Sequence, residues 1–271
     1  NSAGQFGRVC YLPGTEFSFN KELNEKDINR GKMIIESGHH SITEHIWVTL
    51  QLEDCPKIIT TYLYAMGFYA ASEKSARYTH MSMDNIYIQE KFDKWEAKFM
   101  KLIEKEYPDM DKKMMKKLAI ENAAYFISVF NPTTAIISMP INMLNYVYEW
   151  SEDYVVQIIS NEDTRHDRFF SRLSDALCKF SAEFKKVVPM VDGLFDKRSR
   201  DMRYIKKMSN EKFDDKYTGK CQYGTSYTSI YSMSFRVVAQ AIRHRLLRYE
   251  LFIDTENPVY YIPTMIKFNS E

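Results

Sequence analysis

Three short clusters of this 271-residue chain carry side chains suited to chemistry. The first is Gly38-His39-His40-Ser41-Ile42-Thr43-Glu44-His45, with three of the chain's six histidines inside seven residues. His40 and Glu44 stand four apart, so one helical turn would turn an imidazole and a carboxylate toward a common metal ion. An apolar run begins at once with Ile46, which leaves room for a short turn only. A polar helix–strand junction with histidines bonded to backbone groups accounts for the same residues, and so does a site for an organic ligand. The second cluster is Ser72-Glu73-Lys74-Ser75-Ala76-Arg77-Tyr78. The Ser75 hydroxyl and the forked Arg77 guanidinium suit a phosphate, although a solvent-facing helix-to-loop transition has the same composition. The third is Gln240-Ala241-Ile242-Arg243-His244-Arg245, with Arg248 close behind. Two arginines around a histidine, whose donor state is tunable near neutral pH, suit a phosphate dianion or an anionic cofactor ring. A basic helix end complementing the macrodipole is the alternative.

The elements that must position these clusters follow from hydropathy. Residues 6–11 run into the Pro13-Gly14 turn signal. Residues 21–37 read as a helix closed by Gly38 in a left-handed cap. Residues 46–52 alternate and are rich in β-branched side chains, which predicts a strand with one buried face. Pro56 opens a helix to about Tyr64. Residues 90–106 carry Phe92, Trp95, Phe99, Leu102 and Ile103 at helical spacing and stop at Pro108. Further helices are expected over 111–130, 140–159 and 165–186. Residues 196–220 hold nine Lys/Arg and five Asp/Glu with few large aliphatics, a solvated linker or exposed helix, with a nucleic-acid patch as the minor alternative. A Tyr/Thr/Ser-rich strand is expected over 221–233, and an amphipathic helix over 234–248. The fold class expected is α+β: a small antiparallel sheet with long helices.

Composition excludes several function classes. With 37 Lys+Arg against 36 Asp+Glu the net charge is +1, so no global field recruits nucleic acid or an anionic membrane. The 45% apolar and 14% aromatic content is enough for a sizeable core. No apolar run reaches the ~18 residues of a spanning helix, and the first residues lack a signal peptide. The absence of an initiator Met suits a fragment or a processed chain. Cys10, Cys55, Cys178 and Cys221 are scattered without Cys-x-x-Cys spacing, so a reducing, cytoplasmic setting is expected.

Taken together, the motifs resemble the flavin-dependent thymidylate synthases. His39-x-Ser41-x-x-Glu44-His45 before a strand is similar to the family's His-x-Thr/Ser-x-x-Glu-His element. Glu73-x-Ser75-x-Arg77-Tyr78 is similar to the family's Glu-x-Ser-x-Arg-Tyr. Residues 6–11 resemble its Ala-Arg-Val-Ser-Phe start, with Cys10 in place of a serine. The resemblance covers about residues 5–188. It implies reductive methylation of dUMP to dTMP with methylenetetrahydrofolate, FAD and NADPH, at sites built between subunits of a homotetramer. It assigns His39, Ser41 and Glu44 to the flavin and its site, and Glu73, Ser75 and Arg77 to the nucleotide, with Ser75 a phosphate ligand and no protein nucleophile. His39, Arg77 and Arg165 are the candidate catalytic residues, and Arg168 is a second candidate for the arginine that polarises the pyrimidine. No metal is implied.

The departures from the family pattern fall on cations. Ala65-Met66-Gly67 stands where the family has Arg-His-Arg, Tyr62 at its glutamine, Ser72 at its asparagine and Ala124 at a nucleotide-contacting arginine. The missing motif recurs downstream: Ser234 to Arg245 resembles the family's Gln-x-x-Arg-His-Arg helix, and Tyr261-Ile262-Pro263 its continuation. There Leu251, Ile253 and Thr255 replace Glu-x-Ser-x-Arg. The chain is therefore expected to hold one family unit over 1–188, then a linker and partial second copy over 189–271. Gln240 would contact substrate, and Arg243, His244 and Arg245 would complete the flavin site of a composite centre. The assembly expected is a tetramer, or a dimer of pseudo-repeats. A second copy without the helices of the first implies a longer natural chain or helices borrowed from copy one.

Overall fold

The computed structural model describes residues 2–9, 24–66, 69–76, 83, 85–191, 194, 205–207, 218–221, 224–227, 231–242 and 251–256. In chain order the elements begin with α1 (Ser2–Phe6), α2 (Glu25–Glu36), a 3₁₀ turn (His40–His45), β1 (Trp47–Pro56), α3 (Lys57–Ala65) and β2 (Ala70–Glu73). Then come α4 (Ile86–Glu106), α5 (Lys112–Ala123), a second 3₁₀ turn (Ala124–Phe126), β3 (Pro132–Pro140) and α6 (Ile141–Ser160). The rest are α7 (Glu162–Arg165), α8 (Arg168–Val187), β4 (Ile205–Lys207), β5 (Thr218–Cys221), β6 (Gly224–Tyr227), α9 (Phe235–Ala241) and β7 (Leu251–Ile253). Long helices with a small antiparallel sheet make this an α+β fold, as expected. No helix of the described residues is long and apolar enough to cross a membrane.

The chain forms two compact units. The first comprises Asn1–Ser75, Met81–Asp84 and Phe130–Arg203. Its centre is an antiparallel sheet in the order β1-β3-β2, with Leu50 opposite Ile137 and Ala71 opposite Ile137 from the other side. Along β3 the alternation is strict: Thr133, Ala135, Ile137 and Met139 are buried, while Thr134 and Ile136 face out. The inner face packs on α3, whose residues from Ile58 to Ala65 are all buried, and on α6. Helices α6 and α8 pack together, with Trp150, Leu173 and Leu177 fully enclosed. Buried Asn145 ties down the segment after α8, accepting from Val191 N at 2.8 Å and donating to Pro189 O at 3.3 Å.

The second unit comprises Ala76–His80, Asn85–Val129 and Tyr204–Glu271. The apolar stripe of α4, Phe92, Phe99 and Ile103, is buried, and α4 packs on α5, which buries Met115, Ala119 and Ile120. Trp95 stacks on Phe126 with centroids 5.5 Å apart. Arg236 of α9 reaches Glu121 at 3.6 Å and lies over the Tyr125 ring at 5.1 Å. Strands β5 and β6 pair antiparallel, and β4 and β7 pair in parallel.

Three expectations are corrected. The helix over 111–130 ends at Ala123, and residues 132–140 form the central strand, which the sequence reading missed. Pro132 and Pro140 sit at its two ends, where a missing N–H is tolerated. The first strand extends to Pro56 past a bulge between Leu52 and Cys55, where Asp54 takes φ +50°. The strand over 221–233 is instead the hairpin of β5 and β6, and residues 231–234 belong to no strand. The helix expected over 234–248 is described as α9, capped by Ser234 and Ile242, and residues 243–248 lie outside the described residues.

Candidate functional site

The His39–His45 element is positioned by how α2 ends. Gly38 takes φ +80°, the left-handed conformation that glycine adopts without penalty. Gly38 N then donates to Ile35 O at 3.1 Å and His39 N to Ile34 O at 3.0 Å, a Schellman closure. The His40 ring contacts Ile35 O through Nε2 at 3.1 Å, so this histidine caps the helix it follows. Buried Thr43 donates from its hydroxyl to His40 O at 2.5 Å, and Ile46 N donates to Thr43 O at 3.0 Å, which holds the 3₁₀ turn against the strand. The His45 ring lies 5.2 Å from that of Phe6 in α1. His39, Ser41 and Glu44 are exposed. The polar-junction reading therefore describes His40, and no group of three His, Cys, Asp or Glu converges for a metal among the described residues.

This turn meets the N-terminus of α6. Ile141 N donates to Ile46 O at 2.8 Å, and Asn142 Nδ2 lies 3.5 Å from Glu44 Oε1. The Glu44 carboxylate thus faces the positive end of a 20-residue helix, a favourable placement for an anion. Glu44, Trp47, Pro140, Asn142 and Met143 line a recess of about 160 Å³ here. Trp47 and Asn142 went unnoticed in the sequence. The signal for Trp47 was its place on the polar side of an alternating strand, beside Thr49 and Gln51, where a large aromatic is out of pattern.

Glu73 and Ser75 lie at the end of β2, but their side chains have different surroundings. The Glu73 side chain is 1% exposed and forms an ion pair with Lys57. It also accepts a hydrogen bond from the Thr60 hydroxyl at 2.8 Å. Ser75 is half-buried, just past Lys74, whose N donates to Thr134 O at 3.0 Å. Arg77 lies outside the described residues. Cys55, at the start of the same inner face, has its thiol pushed up to about 12, mainly by burial and then by the Glu73 charge, with Lys57 opposing.

Where the family pattern carries cations, the end of α3 from Tyr62 to Ala65 carries no charge and is buried. Tyr62 sits in an aromatic cluster, its hydroxyl 3.0 Å from that of Tyr154 and its ring 5.1 Å from Trp150. Ala65 and Ala124 are 8% and 6% exposed, so both positions are enclosed within the chain. Arg165 lies in α7, bonded to His166 Nε2 at 3.0 Å and to Glu162 at 3.2 Å. It follows the C-terminal end of α6 while Glu44 meets the N-terminal end, and a 20-residue helix is about 30 Å long. Within one chain Arg165 is therefore remote from Glu44. Gln240 is exposed on α9 in the second unit, and Arg243, His244 and Arg245 lie outside the described residues.

The model of the thymidylate synthase complementing protein family matches residues 1–151. No curated protein sequence matches the chain. Among solved structures, the flavin-dependent thymidylate synthase ThyX from Helicobacter pylori complexed with FAD and dUMP is 15% identical. That match covers 69% of this chain and 94% of that one, with a TM-score of 0.34. A second structure of Helicobacter pylori ThyX with FAD and dUMP is 16% identical over 68% of this chain and 91% of that one, also at a TM-score of 0.34. With more than half of its length matched by the family model, from the first helix through the junction of β1 and α6, the chain belongs to the thymidylate synthase complementing protein family.

Proposed function

We propose that the chain is a flavin-dependent thymidylate synthase, converting dUMP to dTMP with methylenetetrahydrofolate, FAD and NADPH at a composite site. The observation that carries this reading is the family match over residues 1–151, which takes in the His39–Glu44 element, β1 and Glu73-x-Ser75-x-Arg77 in order. Bound FAD would supply the hydride. The exposed Ser41 hydroxyl and Glu44 carboxylate suit polar atoms of that cofactor. Its pyrophosphate needs cations, and in this reading they come from Arg243, His244 and Arg245 of the partial second copy. Ser75 and Arg77 hold the dUMP phosphate, with Gln240 beside the substrate. Glu73, enclosed by Lys57 and Thr60, acts by fixing the strand end that carries Ser75. His39 and an arginine in the role given to Arg165 act on the pyrimidine by proximity and electrostatics. The distance from Arg165 to Glu44 along α6 supports a reading in which that arginine comes from another subunit of a homo-oligomer. The setting is cytoplasmic.

A second reading, a homologue that keeps the fold and nucleotide binding without turnover, is favoured by one observation. The α3 face that would present cations is buried and aromatic. A titration of the purified chain with FAD, with and without dUMP, followed by NADPH oxidation, separates the two. The synthase reading expects flavin absorbance and dUMP-dependent NADPH oxidation, and a colourless protein that binds no FAD overturns it. Binding of dUMP or FAD without oxidation selects the second reading.

A further inference from the structure

We propose that the recess at the start of α6 is a subsite for an amino-substituted heteroaromatic ring, with Trp47 as its stacking platform. Three observations converge on it. The Trp47 side chain is 52% exposed at the rim, although it lies on a strand of the sheet. Leaving a large flat aromatic in water forgoes burial that a stacked ring would supply. The Glu44 carboxylate and the Asn142 amide sit side by side, Oε1 and Nδ2 being 3.5 Å apart. The amide is oriented, because Asn142 Oδ1 accepts from Met143 N at 2.9 Å, so its N–H groups face the carboxylate side.

This edge offers an acceptor beside a donor. Its complement is an exocyclic amine next to a ring nitrogen, the amine donating to Glu44 and the ring nitrogen accepting from Asn142. A ring edge made of two carbonyls around one N–H, as on a flavin, would turn lone pairs toward the carboxylate and fits poorly. The volume of about 160 Å³ lies below the roughly 300 Å³ at which whole-ligand pockets begin, so the recess takes one ring system and leaves the remainder of a ligand outside. Pro140 and Met143 complete an apolar floor. On the proposed function, on which the identity of the source rests, the ring is the adenine of FAD or the 2-amino-4-oxopteridine of the folate. Both share this amine–nitrogen edge.

The test uses the whole chain and reads binding without turnover. Trp150 is enclosed and Trp95 stacks on Phe126, so Trp47 is the tryptophan whose emission a recess ligand quenches. AMP, folic acid, FAD, FMN and dUMP are titrated separately. Quenching by AMP and FAD assigns the ring to adenine, and quenching by folic acid assigns it to the pterin. FMN and dUMP, which lack the amine, leave the emission unchanged. Calorimetry on Trp47→Ala should find at least about tenfold weaker binding of the active ligand. Trp47→Phe keeps most of it, and Glu44→Gln weakens only amine-bearing ligands. Quenching by FMN equal to that by AMP overturns the subsite, as does ligand affinity unchanged in Trp47→Ala. A protein that holds FAD while neither FAD nor folic acid disturbs Trp47 would sink the subsite and leave the synthase reading intact. AMP binding at Trp47 in a protein that takes up no FAD would do the reverse.

Discussion

The Glu73 carboxylate and the Lys57 ammonium form an ion pair inside the first unit, with Glu73 1% and Lys57 28% exposed at the side chain. The pair joins the start of α3 to the end of β2, and Thr60 supplies a second hydrogen bond to the carboxylate. Removing one partner of a buried pair strands the other charge, whereas replacing both with apolar groups is often nearly neutral. Glu73→Ala should therefore destabilise the chain by about 3 kcal/mol, and Lys57→Met, which leaves the more enclosed charge alone, by at least as much. The double variant Lys57→Met/Glu73→Leu should recover much of that loss in urea denaturation. Strict additivity of the two single effects would show that the pair is not coupled. If Glu73 serves the site by placing Ser75, Lys57→Met should lower nucleotide affinity as Glu73→Ala does.

Gly4 makes the contact between α1 and α2 possible. A methyl group at this position would overlap the backbone carbonyl of Asp27, an atom that cannot swing aside. Alanine raises intrinsic helix propensity by up to ~1 kcal/mol over glycine, so local preference alone predicts a more stable α1. The overlap decides the sign. Gly4→Ala should destabilise by about 1–3 kcal/mol and raise amide exchange in α1. Gly7→Ala should lose less, because the nearest atom there is the flexible end of Ile34.

Asp27 sits below that contact with its side chain 1% exposed. Its carboxylate accepts from Arg8 Nε at 2.6 Å and from Arg30 Nη1 at 2.9 Å, and closes a capping box with Asn24. The Arg8 hydrogen bond, with help from the Asn24 backbone and both arginine charges, holds the carboxyl below its usual value against the opposing effect of burial. A group with a lowered folded value stabilises above its unfolded value, near 4, and loses that contribution as pH falls through the folded one. The melting temperature should thus decline with acid below about pH 4 more steeply in the natural chain than in Asp27→Asn. At pH 7 Asp27→Asn should melt lower. Parallel acid limbs for the two proteins would mean that Asp27 is not linked to folding.

Much of this arrangement was legible in the sequence where the cause is local. Gly38 after an amphipathic run predicted the left-handed cap, and the Schellman bonds to Ile34 and Ile35 are its consequence. The alternation of 46–52 predicted β1 because one face of that strand is solvated. Residues 132–140 carried the same kind of signal, β-branched and bounded by prolines, but fall in the short gap between two expected helices, where no element was predicted. What was not legible depends on distant partners. Glu73 reads as an exposed nucleotide contact until Lys57, sixteen residues earlier at the start of α3, is brought against it. Arg165 reads as a catalytic candidate alongside His39 until the length of α6 separates it from the turn that carries His39.

Cys55 and Cys178 should differ sharply in reactivity. Cys55 is buried with its thiol pushed up to about 12, whereas Cys178 is exposed on α8. Thiolate is the nucleophile in alkylation, so at pH 8 only about one Cys55 in ten thousand is in the reactive form, and it is enclosed as well. Iodoacetamide should modify Cys178 within minutes, while the peptide carrying Cys55 stays unmodified until the chain is unfolded, as read by peptide mass mapping. Because the Glu73 charge is the second cause of the shift, Glu73→Gln should bring the Cys55 thiol back toward its ordinary value. If that variant also opens the inner face, Cys55 labelling will follow the unfolding rate, which a denaturant series distinguishes from a change in thiol acidity. Rapid labelling of Cys55 in the natural chain would mean that the inner face of β1 is open to water.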